Sequence, residues 1–179
     1  MSNLLDRESI LELLRQLGER LHARGIEAEI YVVGGTAMVL SYDRTRLTRD
    51  VDAVTDMQDE VEHEAREMAR GRRNLSPDWF NGRVRPMLPL ALDVERMEAF
   101  RSPGISVSVA SPRHLLAMKV RAARGERDLE DIVLLCEALA ITSAGEAISI
   151  ADEVWGAGML REESVFLVTE GLPDRGLRR

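Results

Sequence analysis

The sequence is short of lysine, cysteine and aromatic residues, and each shortage excludes something. Of 24 basic residues in a chain of 179, a single one is lysine, Lys119; the other 23 are arginine. Cysteine also occurs once, as Cys136. That rules out a disulfide framework or a cysteine-based zinc cluster, and fits a reducing compartment. Aromatics make up 4% of the chain, too few for a platform on which nucleic-acid bases stack. No apolar run approaches the roughly 20 residues that span a bilayer. The early charges at Asp6, Arg7 and Glu8 leave no room for a signal-peptide core. No membrane association and a cytoplasmic location are therefore expected. The net charge of −7 argues against coating DNA by bulk charge.

What is present suits one compact domain or two small lobes: 45% of the residues are hydrophobic, enough for a core without covalent staples. Ile10, Leu14, Leu17 and Leu21 form one stripe, which predicts a helix over 4–22. Residues 30–33 read as a short strand, followed by Gly34-Gly35 and a short helix over 36–40. Val51, Ala53 and Val54 alternate with Asp50 and Asp52 in a second strand. A charged helix is expected over 58–70 and irregular chain over 72–88. Two further strands are expected over 90–94 and 105–109. Ser111-Pro112 is an N-cap with proline at the first helical position. It opens a helix ending near Gly125, and three more helices follow (127–140, one capped at Ser143, and 161–170) before an Arg-rich tail. The expectation is an α/β (α+β) chain: a mixed sheet flanked by helices over 1–110, then a helical lobe over 111–179.

The densest chemical signal lies between 34 and 52. Residues two apart on a strand share a face, so Asp50 and Asp52 project side by side. Neighbouring carboxylates repel unless a cation sits between them. Mg²⁺ takes one or two carboxylates together with substrate phosphates. Two glycines between a strand and a helix let the backbone approach a phosphate, and the amides opening the helix can receive it. Taken singly, Gly-Gly is an ordinary βα turn and Asp-x-Asp a solvated strand end. Their order and spacing together are more specific.

The pattern Gly34-Gly35-Thr36-Ala37 … Arg46-x-Thr48-x-Asp50-Val51-Asp52 resembles the minimal nucleotidyltransferases of the DNA polymerase β-like superfamily. Within it, the likeness is to the AbiEii/MenT-type toxin branch, over about residues 28–135. The resemblance implies a nucleotidyltransferase fold and transfer of a nucleoside monophosphate from an NTP, with Mg²⁺ held by Asp50, Asp52 and a third carboxylate. Asp93 is the best match for that third ligand and for activating the acceptor hydroxyl. Glu95, on the same period-2 face, competes with it, and pairing of Asp93 with Arg96 is the structural alternative. Gly34, Gly35 and Thr36 would cradle the β,γ-phosphates. Many members carry Gly-Ser where this chain has Gly-Gly, so Thr36 is left to supply a hydroxyl or to cap the helix. The Gly-Gly form is also similar to antibiotic nucleotidyltransferases, which keeps a small-molecule acceptor open.

Lys119 falls on a helix face with Leu115, Leu116, Val120 and Ala123, where an ammonium is costly unless it meets an anion or snorkels out. The resemblance gives it the triphosphate, with Asp128 and Asp131 on the next helix; an ion pair with one of those acids is the plain alternative. Arg44, Arg46 and Arg49 are candidate phosphate or RNA contacts, or solvated charges. His114 reads as polar surface, Cys136 as core, and Trp79 with Phe80 as packing. Between residues 83 and 127 nine basic residues face four acidic ones, a local excess that suits a phosphate-rich partner. The partners implied are an NTP, a tRNA 3′ end and a cognate antitoxin protein. The competing functions are an antibiotic-type transferase and a degenerate nucleotide-binding module.

Overall fold

Asp6 opens helix α1 (Arg7–Ala23) by accepting the Ser9 amide at 2.8 Å, which satisfies one of the donors a helix start leaves without a partner. Ile10, Leu14, Leu17 and Leu21 follow on one stripe, and all four are fully buried. The structure is a computed structural model that describes residues 4–43 and 45–172. It comprises two compact units: Met1–Met87 with Arg96–Val109, and Leu88–Glu95 with Ala110–Arg179. Arg44 and the Arg-rich tail beyond Leu172 lie outside the described residues.

The first unit is built on a five-stranded mixed sheet. Its strands are β1 (Ala28–Val32), β2 (Val51–Thr55), β3 (Phe80–Asn81), β4 (Met97–Ser102) and β5 (Ile105–Val109), in the order β3-β2-β1-β5-β4. β1 runs parallel to β5 and antiparallel to β2; β3 is parallel to β2, and β4 antiparallel to β5. The expected α+β class is what the chain adopts. Alternation decides which side chains enter the core: Ile30 and Val32, Val51 and Ala53, Val107 and Val109 are buried, while the residues between them are less so. Helix α1 passes the β4–β5 turn so closely that a Cβ on Gly18 would stand 2.6 Å from the Pro103 carbonyl oxygen. Helix α3 (Gln58–Ala69) packs beside α1. Trp79, fully buried, donates its indole N–H to the Ala65 carbonyl at 2.9 Å and meets Phe80 edge-on, so both pack as expected.

The second unit is helical: α4 (Pro112–Ala122), α5 (Glu126–Ala138), α6 (Ala144–Trp155) and α7 (Glu162–Gly171). Ser111 caps α4 by accepting the His114 amide, with Pro112 first in the helix. α4 packs against α5, α6 and α7. The Trp155 indole donates to the Ala117 carbonyl at 3.0 Å, and the Arg121 guanidinium lies 4.1 Å over the Trp155 ring. The Ser164 hydroxyl serves the carbonyls of Arg121 and Ala123 at the far end of α4, acceptors that the helix itself leaves open. Cys136 is buried, as expected. Among the described residues, no helix is long and apolar enough to cross a membrane.

One expected strand does not form. Residues 90–94 are not extended ladder, and Leu90, Leu92 and Val94 stand exposed. β4 begins at Met97 instead, opposite Val109, the last residue of β5. Beyond Val109 the chain turns into the cap of α4, so β5 offers no ladder to residues before Met97. The stretch 72–88, expected to be irregular, contains the two-residue strand β3.

The tie between α1 and α3 is electrostatic. Glu64, on α3, is buried and accepts Arg20 Nε at 2.5 Å and Arg24 Nη1 at 2.8 Å. Burial pushes its carboxyl upward, but the bonds from Arg24 and Arg20 outweigh this and leave its pKa below the ordinary value. Such a depressed carboxyl contributes stability above the unfolded-state pKa and loses it as pH falls through the folded one. Replacing both Arg20 and Arg24 by alanine should cost about 1–3 kcal/mol near pH 7. In urea titrations over a pH series, that deficit should shrink as pH falls below the ordinary glutamate range and through the lower folded-state value of Glu64.

Candidate active site

β1 delivers the chain to a turn that only glycine accommodates. Gly34 has φ +62°, and a Cβ there would lie 3.3 Å from Asp52 Oδ2; the left-handed backbone disfavours any other residue. A Cβ on Gly35 would stand 3.2 Å from Thr48 Oγ1. From this turn rises the short helix α2 (Gly34–Ala37), which continues as a π-helical turn over Met38–Tyr42. Alongside, the Val33 amide donates to the Asp52 carbonyl at 3.1 Å, extending the β1–β2 pairing to the edge of the turn.

Asp50, which immediately precedes β2, is held by its backbone. The Thr36 hydroxyl donates to the Asp50 carbonyl at 2.6 Å and the Thr48 hydroxyl to the same oxygen at 3.1 Å. Thr48 is itself fixed by a backbone bridge to Leu5. Thr36 is buried, so its hydroxyl serves the chain's own carbonyl. The Asp50 and Asp52 side chains flank Val51 and are half-buried. Opposite Asp52 on β3 sits Asn81, whose Nδ2 is 3.4 Å from Asp50 Oδ2. Two carboxylates on one face, beside a turn without Cβ atoms, make an all-oxygen donor set. Such a set fits a hard cation of the Mg²⁺ kind.

The loop entering this site carries the candidate arginines. Its start is ordered by Asp43, whose carboxyl accepts the hydroxyl and amide of Thr45 and is thereby held below its ordinary pKa. Arg46 follows half-buried, and Arg49 is exposed.

The other sequence candidates belong to the helical unit. Lys119 Nζ lies 2.7 Å from Asp131 Oδ2 and 3.3 Å from Asp128 Oδ1. The Asp131 side chain is 1% exposed, so Lys119 neutralises a carboxylate that water does not reach. The two acids expected near this lysine are both on it. Asp93 leaves its expected strand for a loop, where its Oδ2 accepts the Ser111 amide at 2.8 Å and its Oδ1 stands 3.3 Å from His114 Nδ1. A carboxylate at a helix N-terminus is favoured by the exposed amides there. His114, read from the sequence as polar surface, is buried, and its Nε2 meets the Ala91 carbonyl at 3.1 Å. Glu95 is exposed. Among the described residues, no group of three or more His, Cys, Asp and Glu side chains is gathered for a metal ion.

Sequence reasoning missed Asn81 and gave Thr48 no task. A two-residue strand carries no periodicity, so nothing marked Asn81 as a neighbour of Asp52. Thr48 stood inside the motif, but its role depends on a carbonyl two residues away that no pattern reveals.

Residues 8–139 match a family described as nucleotidyltransferase of unknown function (DUF6036). No curated protein and no solved structure matches the chain.

The lysine pair makes a stability prediction. Lys119→Ala strands the buried Asp131 carboxylate and should cost about 3–5 kcal/mol in chemical unfolding. Adding Asp131→Asn, which removes the charge, should recover a large part of that loss. A Lys119→Ala variant as stable as the wild type would show that the pair does not matter to the fold.

Proposed function

Because this chain belongs to that nucleotidyltransferase family, we propose that it moves a nucleoside monophosphate from an NTP to an acceptor hydroxyl. The acceptor in this reading is a tRNA 3′ end, in the manner of the AbiEii/MenT-type toxins the sequence resembles, with a cognate antitoxin as protein partner. The observation that carries the reading is the Asp50–Asp52 pair set against the Gly34-Gly35 turn, with Asp50 pinned by two hydroxyls. Asp50 and Asp52 would hold Mg²⁺, which when bound supplies charge neutralisation at the phosphates.

The chain's own groups divide the remaining work. The Gly34 and Gly35 backbone lets phosphate oxygens approach without meeting a Cβ. Thr36 acts behind it, keeping Asp50 in place from a buried position rather than touching the nucleotide. Arg46 is available to the phosphates from the entering loop. Lys119 is the cation the resemblance assigns to the triphosphate, held ready by Asp131 and Asp128. In the transfer, the acceptor oxygen bonds to the α-phosphorus as the α–β bridge breaks. Pyrophosphate leaves, and the hydroxyl proton passes to a carboxylate.

Incubation of the full chain with each labelled NTP, Mg²⁺ and total tRNA tests this. Label should enter tRNA with the wild type and fall by roughly a hundredfold or more with Asp52→Ala, since charge stabilisation at the reacting centre is worth that much. Label passing instead to small hydroxylated acceptors would select the antibiotic-type transferase. A wild type that transfers to neither kind of acceptor overturns the enzymatic reading.

A further inference from the structure

We propose that Asn81 is a positioning residue for the Asp50 carboxylate, setting it for cation binding beside Asp52; the inference rests on the function proposed above. Asn81 is 5% exposed and lies on a strand of only two residues, in register with Asp52. Its amide has a determined orientation. Oδ1 accepts the Arg83 backbone amide at 3.2 Å, an N–H that an NH₂ group cannot serve. The Nδ2 end therefore faces the other way, toward Asp50 Oδ2 at 3.4 Å and the Asp78 carbonyl at 3.5 Å. The contact to Asp50 is a single hydrogen bond to one oxygen, which leaves the carboxylate lone pairs for a further ligand.

Asp50 is thus fixed at both ends. Thr36 and Thr48 hold its carbonyl, and Asn81 limits the rotation of its side chain. Asp52 stands at the end of the β1–β2 ladder, its Oδ2 beside Gly34. A neutral donor suits this position better than a charged one. Lysine or arginine here would compete with the cation for both carboxylates, and a third carboxylate would crowd the pair with like charge. Asparagine offers a hydrogen bond and no charge.

Asn81→Ala and Asn81→Asp test the role in the full chain, by titrating Mn²⁺ alone as an oxygen-seeking stand-in for Mg²⁺ and following the free-ion EPR signal. Asn81→Ala should weaken Mn²⁺ binding about tenfold, the low end of what losing an outer-shell partner of a metal ligand costs. Asn81→Asp keeps an acceptor for the Arg83 amide while adding negative charge, and should bind Mn²⁺ more tightly than the wild type. A merely structural asparagine would lower the melting temperature of Asn81→Ala and leave the Mn²⁺ affinity of the folded variant at the wild-type value. If Asn81→Ala does not fold, Asn81→Ser, whose shorter side chain cannot reach Asp50, takes its place and should weaken Mn²⁺ binding alike. A wild type that binds Mn²⁺ with affinity unchanged in the folded variants overturns the role of Asn81. A wild type that binds none overturns that role together with the metal-dependent reading.

Discussion

The Thr36 hydroxyl on the Asp50 carbonyl is the contact that ties the glycine turn to the strand carrying the acidic pair. It joins the first turn of α2 to the residue before β2, fourteen positions on, and so decides where Asp50 stands relative to the glycine turn. Around it the other constraints fall into place. Gly34 takes a left-handed backbone that disfavours a side chain, and Asp52 Oδ2 lies close to where one would begin. Gly35 must be small because Thr48 stands against it. Thr48 must be where it is because Leu5 and Thr48 exchange backbone bonds. A hydroxyl buried on a carbonyl is worth little as net stability, yet leaving either group unmade is expensive, so the arrangement is resistant to partial loss.

In the helical unit the same physics appears around α4. Its start is held by Ser111, Pro112 and the carboxylate of Asp93. At its other end the Ser164 hydroxyl takes up two open carbonyls. On its flank Lys119 reaches Asp131 and Asp128. Proline apart, each of these groups is polar and largely withdrawn from water, and each meets a partner of opposite character. Buried polar groups are tolerated on those terms. The scarcity of lysine acquires meaning here. A compact ammonium can lie between two carboxylates on an apolar face, whereas a planar guanidinium has a different reach and demands more donors satisfied.

Much of the fold was legible in local pattern. The stripe of α1, the period-2 burial of β1, β2 and β5, and the Ser111-Pro112 opening of α4 all follow from spacing that repeats within one element. The Gly34-Gly35 and Asp50–Asp52 positions were legible for the same reason, since a turn that needs glycine and carboxylates that share a strand face leave marks close together in the chain. Asp93 shows where such reading fails. Its alternating neighbours, Leu90, Leu92 and Val94, have the pattern of a strand, but a strand exists only where a ladder partner continues beside it, and β5 stops at Val109.

By itself, then, the sequence determined most of the element types, the core stripes, a likeness to nucleotidyltransferases and the residues worth testing, because those are properties of short windows governed by periodicity and backbone preference. Tertiary structure alone decided which polar atoms meet: Thr36 with Asp50, Asn81 with the same residue, Asp93 with Ser111 and His114, Lys119 with Asp131. Hydrogen bonds reach about 3 Å, and no rule of spacing says which groups the folding of a chain will bring within that distance.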